Sequence, residues 1–234
     1  MFKSRQFLVC LLCIILAVPV FAGKKTKTAE AKDGVLTDLK LNYTIDVPKN
    51  WKVKTFKEEE DKPAVMRALL TQKNYQINME ARDLDGDFTI PELQIYARPT
   101  TMTTQEFFDK LKNDVKSHLS DDDIINQLNL LISGEYFDSM HVVLCGEEAI
   151  KARYKRVWER HLQADPDDAR YRHTGGLIVQ TVTDVHEIYM FVHDGYLYVI
   201  QDFCEYEFYG QMIEEFANIV ASMKFQDTGA AVTD

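Results

Sequence analysis

Alternating apolar and polar residues mark strands in the first half of the chain. The segments are LKLNYTIDV at 39–47, YQINMEA at 75–81 and ELQIYA at 92–97. A period of two places alternate side chains on opposite faces of a strand. These segments are therefore predicted to be strands with one buried face.

A β-hairpin is predicted around Asp194-Gly195, because both residues tolerate the positive φ of a tight two-residue turn. The register that follows is His193 opposite Tyr196, Val192 opposite Leu197, Met190 opposite Val199 and Ile188 opposite Gln201. Residues 147–160 fit both a strand and an amphipathic helix, and their β-forming residues favour a strand. Residues 124–146 give no clear period, and the turn-forming residues of 161–176 predict an exposed loop.

Two amphipathic helices are predicted. Thr103 and Glu106 form a capping box at the start of the first helix. The second has an apolar stripe at helical spacing that begins at Phe208 and ends at Met223. With the strand pairs, these helices predict an α+β fold, in which a mainly antiparallel central sheet carries helices on both faces.

Three short motifs resemble the PsbP-like family. They are YTIDVPKNWKV at 43–53, Ala97-Arg98-Pro99 before the first helix, and the closing Ser222-Met223-Lys224-Phe225. The resemblance implies a central antiparallel sheet between helices. It also implies a mostly non-catalytic family, which includes extrinsic subunits of photosystem II, a Ran-binding import factor and exported bacterial proteins. Residues 124–146 and 161–176 depart from the minimal family pattern.

The N-terminus has the pattern of a secretory signal peptide. An apolar stretch at 7–22 follows Lys3 and Arg5 and ends at Ala22 before Gly23. Its 16 residues are short for a membrane anchor, which needs roughly 20. We therefore predict a signal peptide at 1–22, a flexible leader at 23–34, one domain at 35–226 and a disordered tail at 227–234, in a periplasmic or extracellular protein with no later membrane span.

The charge of the chain is acidic. The formal net charge is -10, and it becomes -12 without the signal peptide because Lys3 and Arg5 are lost (-10 minus 2). An acidic surface repels a phosphate backbone, so nucleic acid is excluded as a partner and another protein is expected. Acidic clusters at 58–61, 121–123 and 165–168 are interpreted as solvated surface, with a basic partner or divalent cations as the alternative.

Two cysteines, Cys145 and Cys204, remain after removal of the signal peptide. In an oxidising compartment they can pair in a disulfide. Two separate thiols that pack as small apolar groups explain the same residues. The sequence leaves both alternatives open.

A calcium loop is the sharpest local metal pattern. Asp83, Asp85 and Asp87 alternate as in the first positions of such a loop. Phe88 stands where the turn requires glycine, and Gln94 stands where a bidentate glutamate is expected. A solvated hairpin tip without metal is the preferred interpretation, and no other cofactor is expected.

Catalytic patterns are absent from the sequence. There is no Gly-x-Ser-x-Gly motif, and on a strand His141 and Cys145 would lie about 13 Å apart at roughly 3.3 Å per residue. His186 and His193 would face opposite sides of a strand, while His161 and His173 flank an acidic loop that contains Asp165 and Asp167. The sequence predicts an exported, non-catalytic binding or scaffold protein that contacts another protein or an envelope assembly. A calcium-dependent binding module and a hydrolase with an unrecognised site are the alternatives.

Overall fold

The computed structural model describes residues 28–56, 65–73, 85–86 and 89–226, which form two antiparallel sheets. The strands of the small sheet are β1 (Ala29–Lys32), β2 (Val35–Asp38), β3 (Tyr43–Asp46) and β12 (Lys224–Phe225), paired in that order. β12, the last strand along the chain, pairs with β3. The small sheet therefore joins the first described residues to the last.

The large sheet holds the other eight described strands. They are β4 (Trp51–Thr55), β5 (Met66–Gln72), β6 (Asp85–Gly86), β7 (Glu92–Pro99), β8 (Gly134–Leu144), β9 (Glu147–Gln163), β10 (Leu177–His193) and β11 (Tyr196–Glu205). Their order is β4-β5-β7-β11-β10-β9-β6, and β8 also pairs with β9. The helices are α1 (Thr104–Ser117), α2 (Asp123–Gln127) and α3 (Tyr206–Ala221), with a 3-10 turn at Arg172–Thr174.

Two hydrophobic cores lie on opposite faces of the large sheet. On one face, which we call the α1 face, Ile188 and Met190 of β10 belong to the same buried cluster as residues of α1 and α2. On the other, the α3 face, Tyr189 and Phe191 belong to a cluster with residues of α3 and of the small sheet. Alternate residues of β10 therefore contribute to different cores, as the strand period requires.

The predicted α+β fold, with helices packed on both faces of a central sheet, is wrong. Strands hold 51% of the described residues and helices 22%, so the chain is mostly β. The α3 face is covered by the small sheet together with α3. The prediction missed the small sheet because its strands are only two to four residues long, too short for a clear alternation signal.

The predicted flexible leader at 23–34 is too long. Ala29–Lys32 form β1, and Asp33 and Gly34 make the turn to β2 with positive φ angles. Ala29 is fully buried against the α3-face core. The polar composition of this segment hid a strand in which Ala29 is buried, Glu30 is half-buried, and Ala31 and Lys32 are exposed.

Several local predictions are confirmed. The four residue pairs predicted for the Asp194-Gly195 hairpin are all present in the β10–β11 register. Thr103 and Glu106 form both bonds of the capping box. Residues 147–160 are strand throughout, as part of β9. These features depend on residues close together in sequence.

Other segments differ from their predictions. Residues 39–42 turn the chain between β2 and β3, so the predicted strand at 39–47 shrinks to 43–46. Residues 124–146 contain α2 and β8. β9 continues to Gln163, which shortens the predicted loop at 161–176. Phe208 is half-buried, and Met212 is the first fully buried residue of α3. The predicted strand at 75–81 lies outside the described residues.

A buried ion pair connects the two sheets. Arg67 of β5 donates to both carboxylate oxygens of Asp38 in β2, at 2.8 and 3.0 Å. One of those oxygens also accepts the backbone N–H groups of Lys40 and Leu41. The Asp38 carboxylate therefore closes the turn after β2 and fixes the small sheet against the large one.

Candidate functional site

An arm formed by β9 and β10 extends from one end of the large sheet, and the two residues of β6 pair with Leu162 and Gln163 near its tip. β9 and β10 have 17 residues each, whereas β11 has 10 and ends with Glu205 opposite Asp184. The part of β9 and β10 beyond β11 is residues 157–163 paired with 177–183. We call these two segments the arm.

The α3 face of the arm exposes apolar side chains. Val157, Leu177 and Val179 lie on this face and are 47%, 44% and 51% exposed. Tyr206, the first residue of α3, is 60% exposed and follows directly after Glu205 at the base of the arm. Together these four side chains form what we call the arm surface. Leu177 and Val179 are neighbours on this face, and the exposed Glu159 and Thr181 lie between them and Val157. Contiguous exposed apolar side chains mark contact surfaces in soluble proteins.

Ion pairs on the α1 face attach the arm to the rest of the sheet. Arg160 donates to Glu205 Oε1 at 2.7 Å and to Gln180 Oε1 at 2.9 Å. Its guanidinium thus joins β9 to both β10 and β11. An isolated two-stranded hairpin is marginally stable in water, so these contacts help to hold the arm in place.

A second charged group lies beside it on the same face. Trp158 Nε1 donates to Asp184 Oδ2 at 2.8 Å, and the Arg156 guanidinium lies 3.2 Å from that oxygen and 5.2 Å from the Trp158 ring centre. Burial raises the pKa of Asp184, and the positive charge of Arg156 opposes the shift. The guanidinium therefore offsets part of the cost of burying this carboxyl group.

His186 is buried next to Asp184 on β10. Its Nδ1 lies 2.7 Å from Gln201 Nε2, which also donates to the Leu128 carbonyl at 2.9 Å. An amide nitrogen only donates, so Nδ1 accepts and Nε2 carries the ring proton. Burial lowers the pKa of His186 to about 3, with a smaller effect from Arg156. The imidazole is therefore neutral at physiological pH.

Two acidic residues face each other at the corresponding level of the α3 face. Glu187 and Asp202 are opposite one another in the β10–β11 pair, and each is 1% exposed. Glu187 accepts the Lys151 ammonium at 2.8 Å and the Tyr209 hydroxyl at 2.6 Å. Burial, and then the charge of Glu187, raise the pKa of Asp202 well above its ordinary value, while Lys151 opposes the shift. Burial and the neighbouring carboxylate thus both favour the protonated form of Asp202.

These residues form a layer between the apolar cores and the arm, which we call the polar belt: Asp184, His186, Glu187, Gln201, Asp202 and Glu205. Within the described chain, no hydrogen-bond partner is present for Asp184 Oδ1, His186 Nε2, Gln201 Oε1 or either oxygen of Asp202. A buried polar atom without a partner costs roughly 1–3 kcal/mol. The belt is therefore less favourably packed than the cores beside it.

The belt has a signal in the sequence that was not among the predictions. Glu187 lies on the buried α3 face of β10, where the other residues are the apolar Val185, Tyr189 and Phe191. Asp202 interrupts the facing row of β11. A charged residue at an inward position of a period-two strand indicates a buried partner.

The predicted calcium ligands fall largely outside the described residues. Asp83 and Asp87 are not described, and Asp85 is described only as backbone in β6, opposite Gln163. Elsewhere in the described chain, no group of three or more His, Cys, Asp or Glu residues could hold a metal ion. The calcium loop stays a prediction.

The histidines lie apart from one another. His186 and His193 face opposite sides of β10, as predicted, and His193 Nδ1 lies 2.7 Å from Glu147 Oε1. His161 and His173 are exposed. Between them, Asp165 Oδ1 accepts the Asp167 backbone N–H at 2.9 Å and closes a local turn.

The acidic clusters have local structural roles where they are described. Asp121 pairs with Lys110 at 2.6 Å. Asp122 pairs with Arg98 and caps α2 by accepting the Ile124 N–H at 2.9 Å. Asp168 pairs with Arg170 at 2.7 Å. The cluster at 58–61 lies outside the described residues.

The structure holds Cys145 and Cys204 as free thiols. Cys204 pairs with Val185 of β10, which pairs with Lys155 of β9, so Cys204 lies at the level of Lys155. Cys145 lies in the turn just before Glu147, the first residue of β9, and Glu147 is eight residues from Lys155. At roughly 3.3 Å per residue this separates the cysteines by about 26 Å, beyond the roughly 7 Å limit between the Cα atoms of a disulfide. Burial raises the pKa of Cys145 to about 11 and raises that of Cys204 as well.

An open cleft of about 500 Å³ lies between α3 and the residues that follow β3. Asp46 and Glu214 line it, and Glu215 accepts side-chain N–H groups from Asn50 and Trp51 at 2.9 and 3.0 Å. The Glu215 carboxylate thus serves to fix the turn before β4 onto α3.

No family model matches the chain, and no curated protein matches it. Solved structures do match. One is the cyanobacterial PsbP of Synechocystis sp. PCC 6803, with 10% identity, a TM-score of 0.45, and coverage of 87% of this chain and 96% of that one. Another is LpqN of Mycobacterium tuberculosis, described as involved in cell envelope biogenesis, with 10% identity, a TM-score of 0.42, and coverage of 78% and 82%.

A third similar structure comes from Bacteroides thetaiotaomicron, with 11% identity, a TM-score of 0.36, and coverage of 80% of this chain and 46% of that one. At such identities no residue of these proteins lends a role to a residue of this chain. Membership of the PsbP-like family stays a prediction. Separately, none of the helices in the described ranges has the length and apolar character to span a bilayer.

Proposed function

We propose that this chain is an exported, PsbP-like binding protein that contacts another protein of the cell envelope through the arm surface and acts without catalysis or a cofactor. The observation that carries the proposal is the exposure of Val157, Leu177 and Val179 on one face of the projecting arm. Covering these side chains would remove apolar area from water, which favours association.

The arm is suited to this role by its asymmetry. On its α1 face, Arg160, Leu162 and Val182 are buried. On its α3 face, Val157, Leu177 and Val179 are exposed. One side thus anchors the arm, and the other is free for a partner. Tyr206 adds an aromatic ring with a polar tip, a residue type that is frequent in protein interfaces.

The environments of Cys145, Cys204 and His186 support a non-catalytic role for these three residues. Burial raises the pKa values of Cys145 and Cys204, and a protonated thiol is a poor nucleophile. His186 is neutral and buried, with a pKa of about 3. An imidazole with that pKa accepts a proton poorly near pH 7.

Site-specific photocrosslinking in the native host tests the proposal. A crosslinker at position 179 should give one defined adduct, and a crosslinker at Leu39, which is 50% exposed elsewhere on the chain, should not. The partner identified in the adduct is then purified and its binding to the chain is measured directly.

Val179→Lys should weaken that binding by about tenfold or more, because a charge in an apolar contact must be desolvated. Leu39→Lys, the matched control, should leave binding unchanged. Equal adducts from positions 179 and 39, or unchanged binding by Val179→Lys, would exclude the arm surface as the contact site.

A further inference from the structure

β8 presents an open edge of the large sheet. It has 11 residues, and among the described residues it pairs with β9 only. Met140 and Val143 are 49% and 76% exposed along it. The unpaired backbone N–H and C=O groups of such a strand are a template for another strand.

A bulge limits the regular part of this edge. The β8–β9 register shifts between Tyr136 and Asp138, which leaves Phe137 as the extra residue. Asp138–Leu144 are paired regularly with 147–153. The extra residue changes the alternation of side chains between the two sheet faces at this point. A straight strand added to this edge can therefore follow the alternation of β8 only along 138–144.

The two ends of β8 carry opposite charge. At the bulge end, Lys155 lies over the Phe137 ring at 4.7 Å and Lys112 lies over the Tyr136 ring at 4.6 Å. Arg153 and Asp138 neutralise each other there in an ion pair, and Glu135 is the remaining acid.

At the other end, Glu147 and Glu148 begin β9 directly after the turn, and Glu147 Oε1 lies 2.7 Å from His193 Nδ1. Lys155 and Glu147 lie on the α3 face, and Lys112 and Glu148 belong to the α1 face. Each face therefore has a cation at one end of the strand and an acid at the other.

We propose that two copies of this chain associate through their β8 edges, as antiparallel strands paired along 138–144 with His141 at the two-fold axis. In this register Met140 lies opposite Val142 of the second copy, and Ser139 lies opposite Val143 of the second copy. The opposed side chains share a face of the joined sheet, because 138–144 is symmetric about His141.

Charge complementarity selects a second copy over a foreign strand. Antiparallel pairing places the lysine-bearing end of each copy beside the glutamate-bearing end of the other, once on each sheet face. Glu147, Glu148 and Lys155 lie on β9, one strand away from the new pair, so these charges attract one another across the β8 strands. A two-fold axis repeats every such attraction. The Asp138 carboxylate, opposite Leu144 of the second copy, is already neutralised by Arg153.

Disulfide trapping tests the register. His141→Cys should form a disulfide-linked dimer under mild oxidation, because residues facing each other in an antiparallel pair have Cα atoms about 4.5–5.5 Å apart. Val143→Cys, two residues from the axis, should not crosslink. The unsubstituted chain controls for Cys145 and Cys204. Equal crosslinking of both variants, or of neither, would overturn the proposed register.

Analytical ultracentrifugation of the protein purified after export tests the interface itself. The unsubstituted chain should dimerise, Met140→Lys should be monomeric, and Val179→Lys on the arm should still dimerise. Lys112→Glu and Glu148→Lys should each weaken the dimer by about tenfold, and the double variant should recover it. A monomeric unsubstituted chain, or a Met140→Lys variant that still dimerises, would refute the proposed dimer. Neither result would bear on partner binding by the arm surface, which the Val179→Lys binding measurement tests separately.

Discussion

The two halves of β10 share one strand and differ in what covers them. Residues 188–191 are buried on both faces of the sheet, in the two hydrophobic cores. Residues 177–183 form the arm, where Leu177 and Val179 are exposed. Both halves are rich in β-branched and aromatic residues. Strand formation is therefore local, whereas burial depends on whether another layer reaches that part of the strand.

The polar belt lies where the two halves meet. At 184–187 the apolar pattern of β10 gives way to Asp184, His186 and Glu187, all buried. We interpret the belt as the boundary of the packed core. Its ion pairs hold the base of the arm, while several of its buried polar atoms lack a hydrogen-bond partner in the described chain. Substitutions in the packed core, in the belt and on the arm should therefore differ in how strongly they change stability.

Phe191→Ala should cause the largest loss of stability. The Phe191 ring is fully buried and stacks on Tyr198 with ring centres 5.1 Å apart. Removing it leaves a cavity, and such changes cost about 3–5 kcal/mol. Urea unfolding measures the difference in the free energy of unfolding. A loss below about 1 kcal/mol would show that this half of β10 is not a tightly packed core.

Arg156→Met should have an intermediate effect. It keeps much of the side-chain stem but removes the charge that faces Asp184, so we expect a loss of about 1–3 kcal/mol. Arg170→Met is the matched control, because Arg170 forms its ion pair with Asp168 in an exposed loop, and it should change stability little. Equal effects of the two variants in thermal unfolding would contradict a structural role for the belt.

Asp202→Asn should alter the pH dependence of stability. An unfolded aspartate ionises near pH 3.9, whereas burial and Glu187 raise the pKa of folded Asp202. Each pH unit between the two pKa values corresponds to about 1.4 kcal/mol of stability. The folded state then binds the extra proton from about pH 4 up to the raised pKa, so stability falls as the pH rises through that interval.

Urea unfolding between pH 5 and 8 should therefore show a steeper decline for the unsubstituted chain than for Asp202→Asn. The opposite contribution of His186, whose pKa is lowered to about 3, is common to both proteins and cancels in the difference. Parallel stability curves would mean that Asp202 is ionised in the folded chain.

Val179→Thr should have the smallest effect. Val179 is half exposed on the arm, so losing its apolar contact should change the free energy of unfolding by no more than about 0.5 kcal/mol. Differential scanning calorimetry on this variant and Phe191→Ala gives the comparison directly. A large shift for Val179→Thr would show that part of the chain covers the arm surface in solution.

Predictions from the sequence succeeded where neighbouring residues decide the outcome. Asp194-Gly195 sets the hairpin register, because a two-residue turn leaves one pairing for the strands on either side. Thr103 and Glu106 satisfy each other's backbone N–H groups three residues apart. The calcium loop at 83–87 and the family resemblance stay predictions.

Features that depend on the meeting of distant segments were not predictable from local sequence. Nothing local to Asp38 shows that Arg67 will neutralise it, or that Val35–Asp38 and Lys224–Phe225 will belong to one sheet. The arm and the β8 edge were missed for the same reason, because exposure depends on which layers end before reaching them. By itself the sequence determined strands, turns and helix caps, whose energies are local. The tertiary structure alone decided the mostly β architecture and the surfaces left uncovered, because burial is a property of the whole packed chain.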